Sequence, residues 1–174
     1  MTAPACTIRF AQPSDVPTVF GLIKGLAEYE RLSHAVTGTE ELLREHLFGE
    51  RRYVEVVLAE VAGRTVGFAL FFHNYSTFLA RPGIYLEDLF VLQEERGRGY
   101  GKALLGCLAR IAVERGCGRL EWSVLDWNQP SIDFYTALGA VPMDEWTVFR
   151  VTGDALSRLG GSGPEAIPVD PSAI

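Results

Sequence analysis

Arg96-Gly97-Arg98-Gly99-Tyr100-Gly101 follows an apolar, acid-punctuated stretch, 84–92, and runs straight into an amphipathic segment. Strand, glycine turn and helix in that order make a cradle for a diphosphate. Glycines at 97, 99 and 101 let the backbone take left-handed angles and approach a ligand closely. Several N–H groups can then point at one anion, while the following helix adds the positive end of its dipole. Arg96 and Arg98 read as mobile positive charge beside the cradle.

Spacing separates three glycine-rich alternatives. A P-loop needs G-x-x-x-x-G-K-S/T, and although Lys102 follows Gly101, Ala103 offers no hydroxyl for magnesium. A dinucleotide fingerprint needs G-x-G-x-x-G abutting its strand, whereas these glycines run G-x-G-x-G several residues beyond it. The pattern left is R/Q-x-x-G-x-G/A, carried by Arg96, Gly99 and Gly101. It resembles the pyrophosphate loop of the GCN5-related N-acetyltransferases, a family that binds acetyl-CoA. Short motifs also arise by chance, so a plain turn with solvated arginines is the alternative for the motif alone.

The 174 residues are 48% hydrophobic and 22% charged, enough apolar mass for one core. The expected organisation is a single domain over 1–159 and a flexible tail over 160–174, where Gly160-Gly161-Ser162-Gly163-Pro164 ends all periodicity. No apolar run approaches 18 residues and residues 1–6 lack a basic-then-apolar leader, so the expectation is a cytoplasmic protein without a membrane role. A net charge of −6, with the arginines concentrated in one loop, argues against nucleic acid. Cys6, Cys107 and Cys117 show no paired spacing, and His34, His46 and His73 fall in separate elements, so neither disulfides nor a metal site is expected.

Hydrophobic periodicity places the elements. Ile8 and Phe10 alternate in a first strand, and Val16, Val19, Phe20, Ile23, Leu26 and Ala27 repeat as one helical stripe that ends near Glu30. Thr39 caps a second helix with Leu42, Leu43 and Leu47, stopping near Gly49. Segments 53–61 and 65–75 form a hairpin, and 83–92 adds a strand. After the glycine loop, Leu104, Leu105, Leu108, Ile111 and Ala112 make a helix that ends at Gly116. A strand over 120–124, a helix from Asn128 to Leu138 and an extended section over 141–151 complete the order. The strand, crossover helix, strand succession makes 84–92 and 120–124 parallel. The fold class is α/β (α+β): a mixed, mostly antiparallel sheet splayed at a central parallel pair, with helices on both faces.

That order matches the acetyltransferase family over 7–151. Tyr85-Leu86-Glu87-Asp88-Leu89-Phe90-Val91, the 96–101 loop, Leu125-Asp126-Trp127-Asn128, Phe134-Tyr135 and the segment from Leu22 to Glu30 resemble its diamine branch. That branch includes the spermidine/spermine and thialysine N-acetyltransferases. The resemblance implies that main-chain groups of Leu89, Phe90 and Val91 bind the pantetheine arm, the Val91 N–H polarising the thioester carbonyl. It implies that Arg96 through Lys102 hold the diphosphate, with Asn128 and Ser131 as further cofactor contacts. It makes Tyr135 the acid that protonates the departing sulfur and Glu87 the base, with Tyr29, Glu30, Glu87 and Trp146 around the amine. A homodimer is implied as well.

Each residue also has an ordinary reading. Tyr135 is otherwise a packed aromatic, Asn128 a helix cap, Glu28 and Glu30 a solvated helix end, and Trp146 a core residue. Because Glu87 and Asp88 alternate along a strand, one alone faces the substrate, and the resemblance favours Glu87. The segment over 141–145 is shorter than in the polyamine enzymes, and Leu125-Asp126-Trp127 sits nearer the thialysine branch. The reading is acetyl transfer from acetyl-CoA to a primary amine of a small polyamine or thialysine-like diamine, by direct attack in a ternary complex. Acetylation of an amino acid, antibiotic or protein N-terminus stays open, as does a non-catalytic acyl-CoA-binding module.

Overall fold

Alternating apolar residues order five strands side by side in the computed structural model, which describes residues 6–161. Contacts divide the chain between Leu125 and Asp126 into two units. The first contains the whole sheet: β1 (Cys6–Phe10), β2 (Glu55–Val61), β3 (Arg64–Ser76), β4 (Arg81–Val91) and β5 (Leu120–Trp122). They lie in sequence order, antiparallel except for the parallel pair β4 and β5.

The pleat sends alternate side chains to opposite faces, and both are covered. Val56, Leu58, Phe68, Leu70 and Phe90 pack against Val16, Val19 and Leu22 of α1 (Val16–Tyr29) and Leu47 of α2 (Glu40–Phe48). The opposite face, with Val57, Ala69, Phe71 and Leu86 buried, meets α3 (Tyr100–Glu114) through its stripe of Leu104, Leu108 and Ile111. Thr39 caps α2 as expected, its Oγ1 accepting from the Leu42 N–H at 3.3 Å. Gly25 brings α1 close to β4: a Cβ there would stand 3.3 Å from the Phe90 ring. No described helix is long and apolar enough to cross a membrane.

Strand β4 is irregular in two ways. First, β5 pairs only with Ile84–Leu86, so among the described residues no strand lies along the edge of β4 away from β3 between Glu87 and Val91. The expected splay is present, and β5 is shorter than the 120–124 expectation. Second, Leu70 stands opposite Asp88 while Phe71 stands opposite Leu86, so Glu87 is an extra residue with no partner on β3. Such a bulge re-aims the side chains beside it.

The second unit holds α4 (Gln129–Ala137) and α5 (Gly153–Gly161). The extended section expected over 141–151 forms no strand. Pro142 withholds a ladder donor, and a turn closes where the Trp146 N–H reaches the Met143 carbonyl at 3.1 Å. Periodicity gave no sign of α5, since Gly153, Gly160 and Gly161 are poor helix formers. Gly160 and Gly161, expected in the tail, close that helix, and 162–174 lie outside the described residues.

Candidate active site

The glycine loop has the geometry its sequence requires. Gly97 and Gly99 sit at φ +76° and +86°, a region closed to most side chains. At either, an added Cβ would meet open space. Gly99 occupies the N-cap position of α3 and has no side chain to offer, so the first N–H groups of this helix have no side-chain cap. Bare N–H donors, left-handed glycines and open space before a long helix suit an oxyanion, and a diphosphate fits the residues present.

The arginines differ from the expectation of mobile charge. Arg98 donates to Glu95 Oε2 at 2.9 Å, and Arg64 at the start of β3 takes the other oxygen of the same buried carboxylate. Glu95 therefore pins the one side chain standing between the two left-handed glycines. Arg96 turns back from the loop. Its Nε–H donates to the Val91 carbonyl at 3.1 Å, and its guanidinium lies 4.2 Å from the Tyr29 ring centroid. Lys102 is exposed on the first turn of α3, while Tyr100 is buried beneath it.

Main-chain direction along β4 follows from one bond. The Leu92 N–H donates to the Val66 carbonyl at 2.9 Å, toward β3, so by alternation Val91 and Leu89 present their N–H and C=O groups to the open edge. Phe90 has its main chain committed to β3, and its side chain fills the α1 face. Of the three expected main-chain contacts, Leu89 and Val91 face the gap and Phe90 does not.

Acidic groups gather on the α1 side of the same strand. Asp88, two residues from Phe90 and opposite Leu70, lies on that face, and Glu30 caps the C-terminus of α1. The Asp88 pKa is raised to about 6 by burial first, then by the negative charges of Glu87 and Glu30. Burial likewise raises Glu30. Among the described residues, no cation figures in the charges acting on Asp88. Alternation left a choice between Glu87 and Asp88 and the resemblance favoured Glu87; with the bulge, Asp88 lies opposite Leu70, and Glu87 itself is exposed. The signal was an acidic pair inside an apolar strand, and the bulge that sorts the pair leaves no mark in composition.

This cluster has a stability signature. Between the usual 3.8 and about 6, Asp88 holds a proton in the folded chain that the unfolded chain has released. Stability from this group is therefore whole below pH 3.8 and is lost as pH rises through 6. Asp88→Asn should be more stable than the parent at pH 7, by on the order of 2 to 3 kcal/mol, and should lack the decline between about pH 4 and 6. Urea denaturation across that range checks it, and parallel curves for the two proteins would refute it.

The remaining expected residues lie in the second unit. Asn128 is the N-cap of α4, but its main-chain oxygen does the capping, accepting from Ser131 and Ile132; its side chain makes no cap bond and is buried. Ser131 lies on the first turn of α4. Tyr135 lies on the last turn, half-buried, its ring centroid 5.2 Å from that of Phe134. Trp146 is 69% exposed, at a turn rather than in a hairpin strand.

The family model for the acetyltransferase (GNAT) family matches residues 23–140. The thialysine N-epsilon-acetyltransferase of Bos taurus is 39% identical, over 88% of this chain and 96% of its own length. The L-ornithine N5-acetyltransferase NATA1 of Arabidopsis thaliana is 36% identical, over 87% of this chain and 86% of its own. Among solved structures, an integron cassette protein from the mobile metagenome of V. cholerae superposes with a TM-score of 0.76 at 27% identity, covering 90% of this chain and 98% of that one.

Proposed function

The chain belongs to the GNAT acetyltransferase family, and from that premise we propose that it transfers acetyl from acetyl-CoA to a primary amine of a small diamine, of the polyamine or thialysine kind. The observation that carries the diamine is the cluster of Glu30, Glu87 and Asp88 beside the open half of β4, with no cation from the described residues among the charges on Asp88. A second, distal ammonium would bring Asp88 a cation that none of the described residues brings. It gains charge-assisted hydrogen bonds there and offsets the burial, and secondarily the repulsion from Glu87 and Glu30, that raise the Asp88 pKa. The two named relatives are described as acting on thialysine and on L-ornithine, both of which carry two amines.

Acetyl-CoA, when bound, supplies an activated acyl thioester. The α3 N-terminus with Gly97 and Gly99 grips its diphosphate. Leu89 and Val91 offer main-chain groups to its arm, the Val91 N–H facing the carbonyl where negative charge builds. The attacking amine must be neutral, and a carboxylate of the cluster takes its proton through water. Asp88, with a pKa of about 6, is better matched to accept a proton near neutrality than an ordinary carboxylate. Tyr135 returns a proton to the sulfur. No acyl-enzyme is required, so attack is direct, in a ternary complex. A homodimer working in the cytoplasm completes the proposal.

A thiol-release assay with spermidine, putrescine, thialysine, ornithine, lysine and a short peptide tests it. Diamines and diamino acids should give the highest kcat/KM, and KM should rise in Asp88→Asn. Fastest turnover on the peptide would redirect the reading to protein N-termini. CoA binding without thiol release from any amine would leave a non-catalytic module.

A further inference from the structure

Arg96 opens the glycine loop, yet its side chain leaves it and makes three contacts elsewhere. Nε–H binds the Val91 carbonyl at 3.1 Å, and the guanidinium stacks 4.2 Å from the Tyr29 centroid and 5.5 Å from that of Phe90. Val91 presents its main chain to the unpaired edge of β4, so Arg96 has taken the last acceptor on that edge. At Val91 the N–H remains for a ligand, beyond the N–H and C=O of Leu89, and an extended ligand laid along this edge as an extra strand has to end at that donor. Tyr29 stands next to Glu30, whose charge reaches Asp88. One planar cation thus touches both the strand edge that receives the acyl arm and the aromatic beside the carboxylate cluster.

We propose that Arg96 is a positioning residue that sets the acyl carbonyl and the attacking amine in register, rather than a ligand of the diphosphate. The proposal rests on the acetyl-transfer reading. A guanidinium does this because its plane stacks on one ring while an edge N–H holds a carbonyl; an ammonium has neither plane nor fork. Misplacement of reacting groups by about 1 Å costs up to about 100-fold in rate, so loss of this brace falls on kcat.

The decisive variant is Arg96→Lys, which keeps the charge and removes the geometry. With both substrates saturating, kcat should fall about 30-fold, while the CoA dissociation constant from calorimetry stays within about threefold. Tyr29→Leu should lower kcat as well, and Arg96→Lys with Tyr29→Leu should be little worse than either alone. The same pair should shift the urea midpoint of the unliganded protein non-additively. Unchanged kcat in Arg96→Lys, a CoA dissociation constant raised more than about threefold, or additive effects with Tyr29→Leu would overturn the proposal. If the parent chain itself releases no thiol with any amine, the proposed function falls first and this inference with it, whereas thiol release from the parent with full activity in Arg96→Lys removes Arg96 alone.

Discussion

Gly99→Val abolishes CoA binding: calorimetry that gives a clear isotherm with the parent protein gives at least about a 100-fold weaker one, or no heat. Two effects combine. At φ +86° a β-branched residue either costs about 1 to 2 kcal/mol of backbone strain or leaves the left-handed region, which turns N–H groups away from a shared anion. Even if the backbone holds, the new side chain enters space that no protein atom occupies within 4 Å of its Cβ. In the proposed function that space belongs to the diphosphate. Because nothing is displaced inside the protein, the variant folds with a modest loss of stability. Gly116→Ala is the matched control, since Gly116 also has positive φ (+67°) and open surroundings, at the far end of α3. It loses stability and keeps CoA affinity. Equal weakening in the two variants would mean that strain in α3, not crowding of the cradle, removes binding.

The order of elements up to β5, the parallel pair, the cap at Thr39 and the glycine loop were legible because each rests on a sequence-level rule: alternation, helical spacing, a strand–helix–strand succession, a capping hydroxyl, glycine where φ is positive. The side chains in the loop were not. Arg96 and Arg98 look equivalent in sequence, yet a buried Glu95 holds one and a ring from α1 takes the other. Both partners are set by tertiary packing. Glu87 and Asp88 show the same limit. Strict alternation puts them on opposite faces and asks for a choice, but the bulge between Leu86 and Asp88 alters the parity. Asp88 then lies across from Leu70 while Glu87 stays exposed. The 141–151 segment failed as a strand for a related reason. Its apolar residues promise an extended section, but a strand needs an edge to pair with, and Pro142 and the turn at Met143 interrupt the ladder before it starts.

Tyr135→Phe is expected to lower kcat by about 100-fold, the lower part of the range for removing a general acid, while CoA affinity stays within about threefold. In this reading the phenol adds nothing to CoA binding. Its contribution arises only when the carbon–sulfur bond breaks and the sulfur needs a proton, so binding is spared and turnover is not. Phenylalanine keeps the ring and its neighbour Phe134, which limits the structural cost of the change. Single-turnover measurements should show the loss in the acyl-transfer step itself, since a fall in kcat caused by slower product release would leave that step intact. The small amount of remaining activity should depend on buffer acids, which can deliver the missing proton. Wild-type activity in Tyr135→Phe at every pH would take Tyr135 out of the mechanism and leave the sulfur to depart unassisted, as a thiolate.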